Sequence, residues 1–401
     1  MRNNVYISVG TPIKISSDSN NDVNDVEMLN LHEKILAIDV GKGTEDIYLF
    51  EPDQNLENGI HVIRPSRANL LRKQLDIQLP RLTNLYFHGT IMGGEPWHIP
   101  LYKIAQNSNR KVIMTSKSAK SLRYKLDQVT SRGVIVQDPL PRIDQKGKLF
   151  ETYDIDFAWI DQFFRGLDIN IFETTDIVLI ACQEHGYPGP ESISVRQFRI
   201  QEMYQRYLEI NPYLESLMFH QNEIPKFAWR FQANVERTRQ YFPESQIFVM
   251  DSSPAVILGT MLDPIIPSGV KTIINIGNGH TLAMILNETW EVLAIWEHHT
   301  GQFRSDPTEL DEYLEKLFET RLNQKFVLEH GGHGYYQRIS KIPESAAKQI
   351  VAIGPNRSLL QDSRFKNAIS WVHPLGSMML AGPAGLLKTY EARINKGERV
   401  V

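Results

Sequence analysis

Residues 39–44, Asp-Val-Gly-Lys-Gly-Thr, gather the groups that handle a phosphate. Gly41 and Gly43 leave backbone N–H groups bare enough to approach an anion directly. Lys42 adds a cation and Thr44 a hydroxyl, while Asp39 offers a ligand for Mg²⁺ or its water shell. The same residues also suit an ordinary hairpin with turn glycines and an exposed acid. A second turn, 275–281, reads Asn-Ile-Gly-Asn-Gly-His-Thr. Asn275 stands there in the place of Asp39, and Gly277, Asn278, Gly279 and Thr281 complete the pattern. Two such turns in one chain suggest two similar halves facing one ligand.

Other residues could do chemistry. Gln183-Glu184-His185-Gly186 follows an apolar run that reads as a fully buried strand. Open α/β sheets place ligands at the carboxyl ends of such strands, which makes Glu184 or His185 the candidate general base. Three glycines between Gly89 and Gly94 mark a sharp turn, read equally as a plain loop or a ligand contact. His298, His299, His330 and His333 lie near glycines, but their spacing matches no zinc pattern and no cysteine helps. Cleft-lining histidines that touch substrate or phosphate are expected at 298, 299 and 333. Hydrogen-bonded histidines in capped turns are the plainer alternative.

The positioning elements follow from the pattern. Ile35–Ile38 and Thr44–Phe50 read as strands around the first turn, and a helix is expected around Ala68–Gln78. Strand-like stretches at 111–115 and 133–136 alternate with helical ones, as in an α/β domain. The basic run Arg110–Lys125 reads as a solvated face. Two long helices are expected, about Val195–Phe219 and Pro225–Tyr241, the first kinked near Pro212. A helix starting at Pro254 is expected to precede the second turn, and a charged helix should run from Pro307 to about Gln324.

Composition excludes several classes. A net charge of −4 and pI near 6.3 give no general attraction to nucleic acid or anionic membrane. No apolar run reaches the roughly 18–20 residues of a membrane span, and the amino terminus lacks a signal-peptide core. Cys182 is the single cysteine, so internal disulfides and multi-cysteine metal sites are excluded. A cytoplasmic protein is expected. Residues 1–33 carry a polar tract, Ser16–Asp22, and read as a mobile tail with a short strand at Val5–Val9.

In the order of these elements the chain resembles the actin-like ATPase superfamily of actin, heat-shock chaperone ATPases and sugar kinases. There, one glycine hairpin from each lobe clamps the ATP phosphates. The resemblance implies an α/β protein of two similar actin-like ATPase (ribonuclease H-like) lobes with a nucleotide cleft between them. Lobe I would span 34–250 and lobe II 251–401, ending in a connecting helix with small residues at Ala381, Gly382, Ala384 and Gly385. The strand 349–353 followed by Gly354 resembles the adenosine motif, with Pro355 in place of its second glycine. The strings Asp-Val-Gly-Lys-Gly-Thr-Glu-Asp, Met-Gly-Gly-Glu-Pro, Gln-Glu-His-Gly and Glu-His-His-Thr-Gly are similar to a prokaryotic family often labelled pyruvate formate-lyase activating proteins. Radical S-adenosylmethionine chemistry under that label needs three cysteines for its cluster, and this chain has one.

The resemblance implies an ATP-binding phosphotransferase or ATPase, a kinase or hydrolase using Mg²⁺ held at Asp39, with an unassigned small-molecule acceptor or protein partner. An ATP-dependent switch or scaffold with little turnover is the alternative, favoured by Asn275. A small-molecule binder that has lost the nucleotide is a third.

Overall fold

The computed structural model describes residues 6–8, 29–52, 54–76, 83–107, 109–189 and 193–395. Ser16–Asp22, and with it most of the expected mobile tail, lies outside the described residues, as do Val5 and Val9. Leu31 is buried and the Asn30 N–H donates to Glu391, 2.7 Å away, so the chain is fastened before the first hairpin.

The chain opens with β1 (Tyr6–Ser8), β2 (Ile35–Val40), β3 (Thr44–Phe50) and β4 (Ile60–Pro65). It then leaves to form β5 (Leu85–Gly89), β6 (Val112–Met114), β7 (Val134–Val136) and β8 (Lys148–Thr152). It returns as β9 (Ile177–Cys182), β10 (Met218–His220) and β11 (Gln246–Met250). The second half supplies β12 (Lys271–Ile276), β13 (His280–Leu286), β14 (Val292–His299), β15 (Gly334–Gln337), β16 (Ile350–Ile353) and β17 (Ile369–Trp371).

These strands make three sheets. The first runs β1-β4-β3-β2-β9-β11-β10 and the second β15-β14-β13-β12-β16-β17. Each contains the same unit: a three-stranded antiparallel meander whose first strand pairs in parallel with a fourth, which pairs in parallel with a fifth. This duplicated unit is the two-lobed, ribonuclease H-like architecture of actin-like ATPases. The central strands explain themselves. All six residues of β2 and all six of β9 are buried, as strands covered on both faces must be. Each fully buried Ile or Leu contributes about 1.5–3 kcal/mol.

Between the sheets, the helix Ser252–Gly259 crosses the terminal helix Ala381–Asn395. The backbones touch. A Cβ on Gly385 would lie 1.7 Å from the Ala255 carbonyl oxygen, and one on Gly259 would lie 1.9 Å from that of Ala381. Among the described residues no helix is long and apolar enough to cross a membrane.

The third sheet is all parallel, in order β7-β6-β5-β8. Its strand order reverses between β5 and β8. Such a switch point leaves a crevice at the carboxyl ends of the strands. The expected helix at 195–219 is broken up. Residues 195–210 are helical with a π-helical stretch at Arg199–Gln205, and Met218–His220 is a strand. The wider turn coincides with Arg199, whose guanidinium is fully buried between Asp251, just past β11, and Glu297 on β14.

Candidate functional site

The two glycine turns face each other. A Cβ on Gly43 would lie 2.5 Å from Asn278 Nδ2, and one on Gly279 would lie 3.3 Å from the Lys42 side chain. Each tip is pinned from behind. Ser66 donates its N–H to the Gly43 carbonyl (3.0 Å) and its hydroxyl to that of Lys42 (2.8 Å). Arg304 donates to the Asn278 carbonyl (2.7 Å) and Asn356 to that of Gly277 (3.0 Å). Rigid turns keep their N–H groups aimed, which lowers the ordering cost of holding an anion.

Beside the turns lies a cavity of about 580 Å³. Gly41, Lys42, Asn275, Gly277, Asn278 and Gly279 form its wall on the hairpin side. Its other wall is the switch point of the parallel sheet. Ile91–Pro96, following β5, and Asp154, just past β8, line it. Residues 91–94 of the glycine-rich loop, left open by the sequence, therefore line the cavity. The solvated reading of the basic run is corrected at its end, where Lys120 and Arg123 line the cavity. Lys120 Nζ also sits 4.0 Å over the Trp229 ring. Periodicity could not show this, because the inward turn depends on β5 and β8 flanking the segment.

Asp39 is the penultimate residue of β2 and is 6 % exposed, behind the cavity wall. Burial raises its pKa to about 7, against the lowering effect of the Ser252 hydroxyl. Its Oδ1 has no hydrogen-bond partner among the described residues. A buried carboxyl oxygen without a donor fits a cation or a cation's water, and a cation would favour its ionised form, so Asp39 suits the Mg²⁺ that the resemblance implies. Gly382 of the terminal helix packs directly on this carboxylate. Asn275 takes the matching place in lobe II and brings no charge.

Several expected site residues are placed elsewhere. Glu184 is fully buried and does not line the cavity. Its carboxylate accepts from Tyr124 Oη (2.9 Å) and from the N–H groups of Gly186 (2.8 Å), Arg230 (2.7 Å) and Phe231 (3.1 Å). It caps the helix Trp229–Arg239 and is corrected from base to anchor. Thr281 is fully buried with its hydroxyl 3.1 Å from that of Thr300. Thr44 donates to Asp46 (3.3 Å) instead of facing the cavity. Gly354 sits behind the second hairpin, where a Cβ would meet the Ile276 carbonyl oxygen at 2.6 Å. His298 is a core histidine, its Nε2 3.1 Å from the His330 carbonyl and its ring packed on Phe303 and Tyr313. For Thr44, Thr281 and His298 the strand alternation, not the turn, decides which way the side chain goes.

Others converge. His185, His280, His299 and His333 all line the cavity. Arg230 was not read from the sequence, yet it lines the cavity too. It donates to Asp154 through Nε (2.7 Å) and Nη2 (2.8 Å) and to the Gln183 carbonyl (2.7 Å). Beneath them Arg199 donates to Asp251 (2.7 and 2.9 Å) and to Glu297 (2.8 Å), joining the two lobes through one buried cation. Lys42 is paired with Glu95 at 2.6 Å at the cavity mouth.

Fold and site together define a two-lobed α/β protein with the actin-like ATPase fold and a cavity where the paired hairpins meet. The chain belongs to the family described as "Putative pyruvate format-lyase activating enzyme (DUF1786)", matched over residues 92–359, more than half its length. Cys182 is buried and no second cysteine exists, so no three-thiolate cluster site fits this chain. No curated protein matches.

Solved structures similar to it include the PilM-PilN type IV pilus biogenesis complex (12 % identity, 88 % of this chain and 98 % of that one, TM-score 0.38). The ethanolamine utilization protein EutJ from Carboxydothermus hydrogenoformans is similar at 9 % identity, over 92 % of this chain and 94 % of that one, TM-score 0.32. MreB5 of Spiroplasma citri bound to ADP is similar at 10 % identity, over 91 % and 99 %, TM-score 0.34.

Proposed function

We propose that the cleft binds ATP with Mg²⁺ and that the protein is a phosphotransferase or ATPase. The observation that carries this reading is the meeting of the two glycine turns, Gly41–Gly43 from one lobe and Gly277–Gly279 from the other. The N–H groups at the turn tips, Lys42–Gly43 and Asn278–Gly279, would hold the phosphates, since those of Gly41 and Gly277 already donate to the Thr44 and His280 carbonyls. Lys42 would add charge, and Asp39 would position the metal. The acceptor would sit at the switch point of the parallel sheet, between Gly93 and the cations Lys120 and Arg123, which suits an anionic small molecule. The cytoplasm is the setting that this proposal implies.

Phosphoryl transfer asks chiefly for positioning and charge neutralisation. In the transfer the acceptor oxygen bonds to the γ-phosphorus, the bond to the β–γ bridging oxygen breaks, and ADP leaves. The loss of Glu184 as a base therefore does not argue against the reaction.

One arrangement favours a second reading, the ATP-dependent switch. Arg199 of lobe I is paired with Asp251 at the lobe boundary and with Glu297 of lobe II, and Asn275 removes one metal-positioning charge. Such a protein would close around ATP and act on a partner with little turnover.

Thermal melting with and without Mg-ATP tests binding, because a ligand held only by the folded state stabilises it by about RT ln(1 + [L]/Kd). The expected result is a rise in Tm with Mg-ATP that shrinks in Asp39→Ala. No shift with any nucleotide at millimolar concentration would sink both ATP readings. Phosphate release measured alongside separates enzyme from switch.

A further inference from the structure

Three imidazoles from distant parts of the chain converge on one point. His185 follows β9 in lobe I, His280 opens β13 in lobe II, and His333 precedes β15. One ring nitrogen from each lies within 4.8 Å of the others. His280 is 9 % and His333 1 % exposed, and His280 Nε2 and His333 Nδ1 have no hydrogen-bond partner among the described residues. A buried polar nitrogen left unpaired costs about 1–3 kcal/mol, so two of them side by side call for a common ligand. All three rings border the cavity, which leaves one side of the cluster open.

We propose that His185, His280 and His333 bind one divalent transition metal of the zinc class, with its remaining position open to the cleft. The donor set selects the ion. Three neutral imidazoles without a carboxylate suit zinc, iron, copper or nickel and not the oxygen-seeking Mg²⁺ of the phosphate site. Three histidines plus an open position is the arrangement in which zinc binds an exchangeable oxygen ligand. Burial lowers the pKa of all three rings, which keeps them in the neutral form a metal needs. The nearby Arg199 does not oppose the ion strongly, since Asp251 and Glu297 match its charge.

The geometry adds a consequence. Zinc–nitrogen bonds of about 2.0 Å in a tetrahedron set ligand nitrogens roughly 3.3 Å apart, a spacing within reach of three nitrogens that lie within 4.8 Å of one another. His185 belongs to one lobe and the other two to its neighbour, so the ion would fasten the lobes in a closed arrangement. His299, whose ring centroid is 4.6 Å from that of His333, flanks the site outside the set of three. A bound metal takes the lone pair of His185, so the imidazole then accepts no proton.

The test needs no nucleotide, so its failure leaves the ATP reading untouched. The full chain, purified without a histidine tag and stripped with a chelator, is titrated with Co²⁺ and then Zn²⁺. One equivalent of Co²⁺ should produce the visible absorption of a four-coordinate site, and Zn²⁺ should abolish it. His280→Gln and His333→Gln should each weaken uptake more than roughly 100-fold. His330→Gln, altering an exposed histidine outside the cluster, should bind as wild type. No stoichiometric uptake by the wild-type chain overturns the proposal. So does uptake that survives in a folded His280→Gln/His333→Gln double variant. If the buried variants fail to fold, His185→Gln, at the less buried ligand, decides in the same way.

Discussion

Asn278 Nδ2 stands 2.5 Å from where a side chain on Gly43 would begin, so the two lobes meet through a glycine and an amide. The contact sets how closely the hairpins approach. An alanine there could be absorbed by rotation of the Asn278 side chain. Gly43→Val brings a branched side chain that rotation cannot clear, and the tips must separate. We expect the variant to fold with near-normal stability but to bind Mg-ATP at least ~10-fold more weakly, a loss of about 1.4 kcal/mol. Isothermal titration measures this. Unchanged affinity would show that the hairpin tips do not hold the phosphates together.

Glu184 is expected to matter for stability and not for chemistry. Glu184→Ala strands three backbone N–H groups and the Tyr124 hydroxyl in a buried place. Leaving such donors unpaired should lower unfolding free energy by about 3–5 kcal/mol. Glu184→Gln keeps one acceptor oxygen and should lose less than half of that. Urea denaturation gives both values. A Gln variant with wild-type stability and abolished turnover would return Glu184 to the role of base.

Asp39 should make stability depend on pH. Its folded-state pKa of about 7 lies above the ordinary 3.8 because of burial. Between those values the folded protein holds a proton that the unfolded chain has lost. Stability from this group is therefore full below pH ~4, falls as pH rises to ~7, and is flat above. Asp39→Asn removes that slope and should gain roughly 1–4 kcal/mol over wild type above pH 7 without metal. Glu45 and Asp46 are raised too, and the Asp39 charge helps raise Asp46, so the difference between the two proteins reports Asp39 together with its coupling to Asp46. Mg²⁺ competes with the proton, so Mg-ATP should stabilise wild type more at pH 8 than at pH 6. Parallel stability curves for the two proteins would refute the assignment.

The sequence by itself determined the duplicated strand–turn–strand units. Apolar runs flanking Gly-x-Gly are local signals, and the burial of β2 and β9 follows from their unbroken hydrophobicity. It also fixed the small residues that let the two connecting helices touch, since only glycine permits Gly259 and Gly385 to lie against backbone. It excluded a cysteine-held cluster by count. It could not say which polar residue beside a turn faces the cavity. In β13 and β14 side chains alternate between two covered faces, so His280 and His299 reach the cavity while Thr281 and His298 enter the core. Nor could it reveal the convergence of His185, His280 and His333, because those residues are brought together by pairing of distant strands and packing of one lobe on the other. Local spacing carries no trace of that contact. The same holds for Arg199 and Arg230, whose partners Asp251, Glu297 and Asp154 are scattered along the chain.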